Sequence, residues 1–187
     1  MSSLRVYKDN DFSRALTVIA SNELMTQVLA DEGVRFERLA LKLLEPEADN
    51  EQVLAAYQSE IKKLKAENSY STADVIRLTP DHPEKQALRK KFLDEHTHTE
   101  DEVRFFVRGG GIFYLHLKSK VYVVICAQSD LISVPHGTKH WFDMGPQPDF
   151  TCIRLFTNPE GWVAQFTGDD IASKAPGYEA LMGSGND

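Results

Sequence analysis

VRFFVRGGGIFYLHLKSKVYVVICA, residues Val103–Ala127, decides how this chain folds. Three apolar runs, Val103–Val107, Ile112–Leu117 and Val121–Ala127, are separated by Gly109-Gly110-Gly111 and by Lys118-Ser119-Lys120. Each run is too short for a typical helix and is rich in β-branched and aromatic residues, so each reads as a strand and each break as a turn. Val121–Ala127 is apolar at both parities, which predicts a strand covered on both faces.

Working outward, the strand signal continues downstream. Leu131–Val134 stops at Pro135, and His140–Phe142, Phe150–Thr157 and Trp162–Phe166 follow. Many short strands with regular turns predict an antiparallel barrel or sandwich. Upstream of about residue 95 the pattern is mainly helical. Ser21–Asp31 carries an apolar stripe at Leu24, Met25, Val28 and Leu29, with Gly33 as its stop. Asn50–Glu67 shows one apolar face with Asn50 as its N-cap, and Pro83–Phe92 reads as a helix with Pro83 near its first position. Val34–Leu41 and Asp74–Leu78 are short strand candidates. The expectation is one α+β domain, mainly β, over residues 1–187. Helical and strand decoration occupies about 1–94, a small antiparallel β-barrel about 95–170, and a flexible tail about 175–187.

The 187 residues can bury a real core, and 42% hydrophobic with 26% charged residues is ordinary for a globular chain. A formal net charge of −7 argues against nucleic acid as a partner, because phosphate binding needs a basic surface. Arg89-Lys90-Lys91 is locally basic but falls on a helix face open to solvent. The opening MSSLRVYKDND has no apolar signal-peptide core, and no run is long enough to cross a bilayer. A cytoplasmic monomer without a membrane partner is expected. Cys126 and Cys152, both in apolar strands, read as reduced core residues.

Immediately before the first strand stands His96-Thr-His-Thr-Glu-Asp-Glu102. Alternate residues of an extended chain face one way, so His96 and His98 share a face, and Glu102 can rejoin it after a polar turn. Two imidazoles and a carboxylate suit a borderline divalent ion such as iron, nickel, zinc or manganese. The plainer alternative is a pair of exposed turn histidines. A second segment, Val134-Pro-His-Gly-Thr-Lys-His140-Trp-Phe142, turns at Gly137 and then sets His140 among aromatics. An imidazole in such surroundings needs partners for its nitrogens: a metal is one, a backbone carbonyl another. His136 lies within that turn, His116 alternates with Ile112 and Tyr114 on its strand, and His82 precedes a proline in a loop.

Together the two segments resemble the motifs of the cupin superfamily. The first motif falls on His96, His98, Glu102 and Gly109, and the second on Pro135, Gly137 and His140. The glycines that open those motifs are replaced here by Lys90 and Ser129, and the asparagine that follows the second by Met144. HTHTEDEVRFFVRGGGIFYL, VPHGTKHWFDMG and LFTNPEGWVAQF narrow the likeness, through most of residues 80–170, to the acireductone dioxygenase family of methionine salvage.

That resemblance implies a jelly-roll barrel of cupin type and one Fe(II) or Ni(II) ion held by His96, His98, Glu102 and His140. It implies cleavage by dioxygen of 1,2-dihydroxy-3-keto-5-methylthiopentene. The iron form gives the 2-keto acid and formate; the nickel form gives methylthiopropionate, carbon monoxide and formate. Arg104 has the parity of Glu102 and is the candidate catalytic cation, pairing the substrate oxyanion. Phe92, Phe105, Phe142 and Trp162 are candidate walls for the methylthioethyl tail, although Phe105 has the opposite parity to Arg104. Two competing functions remain open. A sugar-phosphate isomerase of the same superfamily would need further cations, for which only Arg104 and Arg154 are available. A non-catalytic metal-binding cupin would have a filled ligand shell and no pocket.

Overall fold

A computed structural model describes residues 1–45, 47–68, 70–158 and 163–183. The first half contains β1 (Ser3–Lys8), β2 (Thr17–Ile19), α1 (Asn22–Asp31), β3 (Arg35–Arg38), α2 (Asn50–Ala56), α3 (Gln58–Asn68), β4 (Thr72–Leu78) and α4 (Lys85–Leu93). The second contains β5 (His96–Thr97), β6 (Glu102–Arg108), β7 (Gly111–Leu117), β8 (Lys120–Cys126), β9 (Asp130–Val134), β10 (Lys139–Asp143), β11 (Phe150–Phe156), β12 (Gln165–Phe166), α5 (Ile171–Lys174) and α6 (Tyr178–Met182).

The strands form two antiparallel sheets, ordered β12-β5-β10-β7-β8-β1-β2 and β3-β9-β6-β11-β4. Among the described residues no ladder joins them, so the anticipated barrel is an open pair of facing sheets. β7 and β8 form the expected hairpin, from Gly111↔Cys126 to Leu117↔Lys120. β6 and β7, though consecutive, lie in opposite sheets, so the triple glycine is a crossover between them. Gly109 has φ +66°, and a Cβ there would stand 1.9 Å from the Asp149 carbonyl oxygen, so only glycine fits.

Between the sheets lies a core that includes Leu4, Val6, Phe106, Phe113, Leu115, Tyr122, Val124, Ile132, Phe142, Phe150, Cys126 and Cys152. Both cysteines are free and buried there. A second cluster packs Tyr57, Ile61 and Leu64 of the α2–α3 region on the outer face of the five-stranded sheet, against Val103, Phe105, Leu131 and Ile153. A third packs Ile171 and Leu181 on the outer face of the seven-stranded sheet, against Ile112, Tyr114, Val121, Val123 and Trp141. This three-layer burial explains the unbroken apolar run in β8. Val121, Val123 and Ile125 face outward under the C-terminal helices, and Tyr122, Val124 and Cys126 face inward.

Several elements depart from the sequence reading. β1 is part of the larger sheet, pairing with β8 and β2, although its Leu4/Val6 alternation is too short to predict a strand. The expected helix over 50–67 divides at Tyr57 (φ −101°, ψ 18°), which is anchored from both ends. Its hydroxyl accepts the Lys42 N–H at 2.9 Å, and its ring meets Phe105 edge-on with centroids 5.0 Å apart. The N-cap of α2 is Asp49 rather than Asn50: Asp49 accepts the Gln52 N–H, and the Gln52 side chain accepts the Asp49 N–H, both at 2.8 Å. Of the described residues in the expected strand over 162–166, Gln165 and Phe166 pair, with β5; Trp162 lies outside the described residues. Ser129 stands where the motif has glycine, and it takes the left-handed conformation (φ 87°), with its hydroxyl bonded to the Leu39 carbonyl. The other motif-opening position, Lys90, lies within α4.

Candidate metal centre

The two histidine segments meet because β5 and β10 are neighbours, with His96 and His140 directly paired. Directly opposed residues leave a sheet on the same face, so both imidazoles enter the space between the sheets. The turn before β10 is tied to the first segment by the Gly137 N–H, which donates to the His98 carbonyl at 2.9 Å; Gly137 has φ +72°. Glu102 opens β6, in the facing sheet, and approaches the histidines from the other side.

One ligand atom from each of His96, His98, Glu102 and His140 lies within 4.8 Å of the others. All four side chains are buried. The ring centroids are 4.9 Å apart for His96–His98, 4.6 Å for His96–His140 and 5.2 Å for His98–His140. His96 Nδ1 lies 2.7 Å from the Asp94 carbonyl, His140 Nδ1 2.7 Å from the Thr138 carbonyl, and His98 Nδ1 3.4 Å from the Val163 carbonyl. A carbonyl only accepts, so each Nδ1 carries a proton and each ring turns its Nε2 toward the centre.

The donor set itself tests for a cation. His140 Nε2 is 2.8 Å and His98 Nε2 3.4 Å from the same Glu102 oxygen, Oε2. Desolvation favours the neutral acid of Glu102, but the adjacent Arg104 charge and the His140 and His98 contacts outweigh it and hold the carboxyl well below its usual range. Burial, followed by the neighbouring His140, pushes His96 down to about 4, so that ring stays neutral near pH 7. Ring nitrogens thus crowd an anionic oxygen at contact distance. A cation turns these contacts into ligand bonds, and three imidazoles with one carboxylate suit a borderline divalent ion. The cluster is a site for one metal ion.

Arg104 faces the same interior as Glu102, as its parity predicts. Its Nε donates to Glu102 Oε1 at 2.6 Å, and its guanidinium carbon lies 5.8, 5.8 and 5.0 Å from the ring centroids of Phe92, Phe113 and Phe142. Phe92 and Phe142 therefore lie near the cluster through Arg104. Phe105 does not: it points from the other face of β6 into the cluster around Tyr57. Arg154 forms a paired contact with Asp74, at 2.8 and 2.5 Å.

The histidines outside the ligand set have other partners. His136 is exposed near Asp101, and His82 Nδ1 takes the Glu84 N–H. His116 binds the buried Glu95 at 2.6 Å, and Thr167 Oγ1 donates to the other Glu95 oxygen at 2.6 Å. The sequence reading did not single out Asp94, Thr138 and Val163, which act through backbone carbonyls and carry no side-chain signal. Phe166, which carries no ligand or motif signal in the sequence, meets His96 with ring centroids 5.9 Å apart.

Comparison with known proteins places the chain in one family. The model of the ARD/ARD' family matches residues 4–164. An acireductone dioxygenase of Hahella chejuensis is 64% identical over 182 residues, covering 97% of this chain and 98% of the relative. That of Marinobacter nauticus is 55% identical over 183 residues, covering 98% and 99%. Among solved structures, an acireductone dioxygenase from Bacillus anthracis with a cadmium ion in its active centre superposes with a TM-score of 0.79 at 32% identity, covering 89% of this chain and 98% of that one. With near-complete coverage in both directions and a shared fold, the chain belongs to the ARD/ARD' family.

Proposed function

We propose that this chain is an acireductone dioxygenase, cleaving 1,2-dihydroxy-3-keto-5-methylthiopentene with O2 in methionine salvage. The observation that carries it is the three-histidine, one-carboxylate cluster in a chain of this family. His96, His98, Glu102 and His140 hold one Fe(II) or Ni(II) ion. A divalent ion bound there would supply Lewis-acid polarisation and positive charge.

The protein's own groups do the rest. The Asp94 and Thr138 carbonyls fix the His96 and His140 tautomers, so the donor geometry exists before substrate arrives. Arg104 neutralises Glu102, raises the positive potential of the chamber and so favours the ionised reductone. Phe92 and Phe142 flank Arg104 and keep water from it. Arg154, engaged by Asp74, leaves the sugar-phosphate alternative short of cations. No helix among the described residues is long and apolar enough to cross a membrane, and a cytoplasmic monomer is the accompanying proposal.

Reconstitution of the metal-free protein with Fe(II) or Ni(II) tests the reading. Both forms should consume acireductone and O2, with formate from each and carbon monoxide from the nickel form alone. No acireductone consumption by either form would overturn the activity. Equal carbon monoxide from both would overturn the metal-dependent choice of products.

A further inference from the structure

Phe166, His96 and His140 form one row across three neighbouring strands. Phe166 on β12 pairs with His96 on β5, and His96 pairs with His140 on β10. Opposed residues project from one face, so the Phe166 ring leaves the sheet on the side from which both imidazoles reach the metal position. It meets His96 edge-on, with an interplanar angle of 67°.

β12 ends the sheet among the described residues, and Phe166 is 53% exposed. Val163, whose carbonyl faces His98, is 70% exposed. By contrast Phe113 and Phe142, on the inner side of the cluster, are 0% and 2% exposed. The ring is nevertheless held in place. The Thr167 N–H donates to the Glu95 carbonyl at 3.0 Å, and its hydroxyl donates to the Glu95 carboxylate at 2.6 Å, fastening β12 beside the ligand strand. A fixed, half-open aromatic surface beside a metal position is suited to an apolar group attached to a chelating head.

We propose that Phe166 is a substrate-contacting residue, the outer apolar wall on which the methylthioethyl tail of the acireductone packs, and that it sets discrimination for that tail. This rests on the acireductone reading above. Contacts to a tail remote from the reacting carbons are made equally in ground and transition states, so they act on KM more than on kcat. Each methylene of such a tail is worth roughly 10- to 200-fold in discrimination when fully enclosed. A half-open wall belongs at the low end of that range.

The test compares wild type, Phe166→Ala and Phe166→Leu, all nickel-loaded, on the thioether-tailed acireductone and on one whose tail is a single methyl group. Metal content is measured on each preparation. In Phe166→Ala the KM for the tailed substrate should rise about tenfold with kcat retained, while values for the methyl analogue and metal content stay unchanged. Phe166→Leu should recover much of the difference. Equal changes on both substrates, a loss of metal, or no change on either would overturn the proposal. A wild-type protein inactive on both acireductones would instead overturn the activity on which it rests.

Discussion

At the residue scale, the chemistry depends on which atoms each buried polar group faces. His140 faces Thr138 through one nitrogen and Glu102 through the other; Arg104 reaches the carboxylate oxygen that the histidines do not use. Ligand and cation roles should therefore separate by mutation. In His140→Ala, metal content and turnover should both be lost. In Arg104→Ala, metal content should hold, while kcat/KM falls on the order of tenfold to a hundredfold, the worth of a charge-assisted hydrogen bond of roughly 1.5–3 kcal/mol. Arg104→Lys should restore only part, because the ammonium keeps the charge and loses the planar fork. Metal analysis and kinetics on the same preparations decide it. Full metal content in His140→Ala would remove that residue from the ligand set, and unchanged kinetics in Arg104→Ala would leave the metal as the substrate's only cationic partner.

At the element scale, α1 packs Met25 and Leu29 into the core and is also tied to the larger sheet by polar contacts. Glu32, at the end of α1, accepts the Tyr122 hydroxyl of β8 at 2.9 Å and pairs with Lys118 in the β7–β8 turn at 2.8 Å. The Lys118 hydrogen bond leads the effects that, against partial desolvation, hold the Glu32 carboxyl below its usual value. A depressed carboxylate contributes stability that is present above its unfolded value and lost as pH falls through its folded value. Glu32→Gln should therefore be less stable than wild type at pH 7, by up to about 1 kcal/mol since Lys118 is largely exposed. The difference should shrink below roughly pH 4. Urea midpoints at pH 7, 5 and 3.5 measure this; a gap that stays constant to pH 3.5 would show that the Glu32 charge plays no part.

At the scale of the whole molecule, the metal position joins both sheets: three ligands come from the β5 and β10 segments, and Glu102 comes from β6 opposite. Metal binding is therefore linked to the stability of the sandwich. An ion present at a hundred times its dissociation constant stabilises a native state by about 2.7 kcal/mol. For a chain of this size that corresponds to roughly 5–10 °C in Tm. Calorimetry before and after chelation should show a fall of that order, reversed by Ni(II). Equal Tm values in both states would mean that the ligands are not jointly engaged.

The sequence by itself determined the strands of the second half, the reduced cysteines, and the donor residues with the family they identify. These are local properties: period-two alternation, glycine turns, and ligand types at short spacing. Even the inward direction of Arg104 followed from its parity with Glu102. Only the tertiary structure decided which strands are neighbours. β6 and β7 are adjacent in the chain yet lie in opposite sheets, and β1, more than a hundred residues from β8, is its partner. Pairing of that kind is set by the burial of whole faces, which no local window contains. The same holds for Phe105, turned toward Tyr57, and for Phe166, placed beside His96 by an edge strand two residues long. The carbonyls that orient the imidazoles belong to the backbone, so residue type carries no signal for them; they become ligand-orienting groups only when folding brings each one to a ring nitrogen.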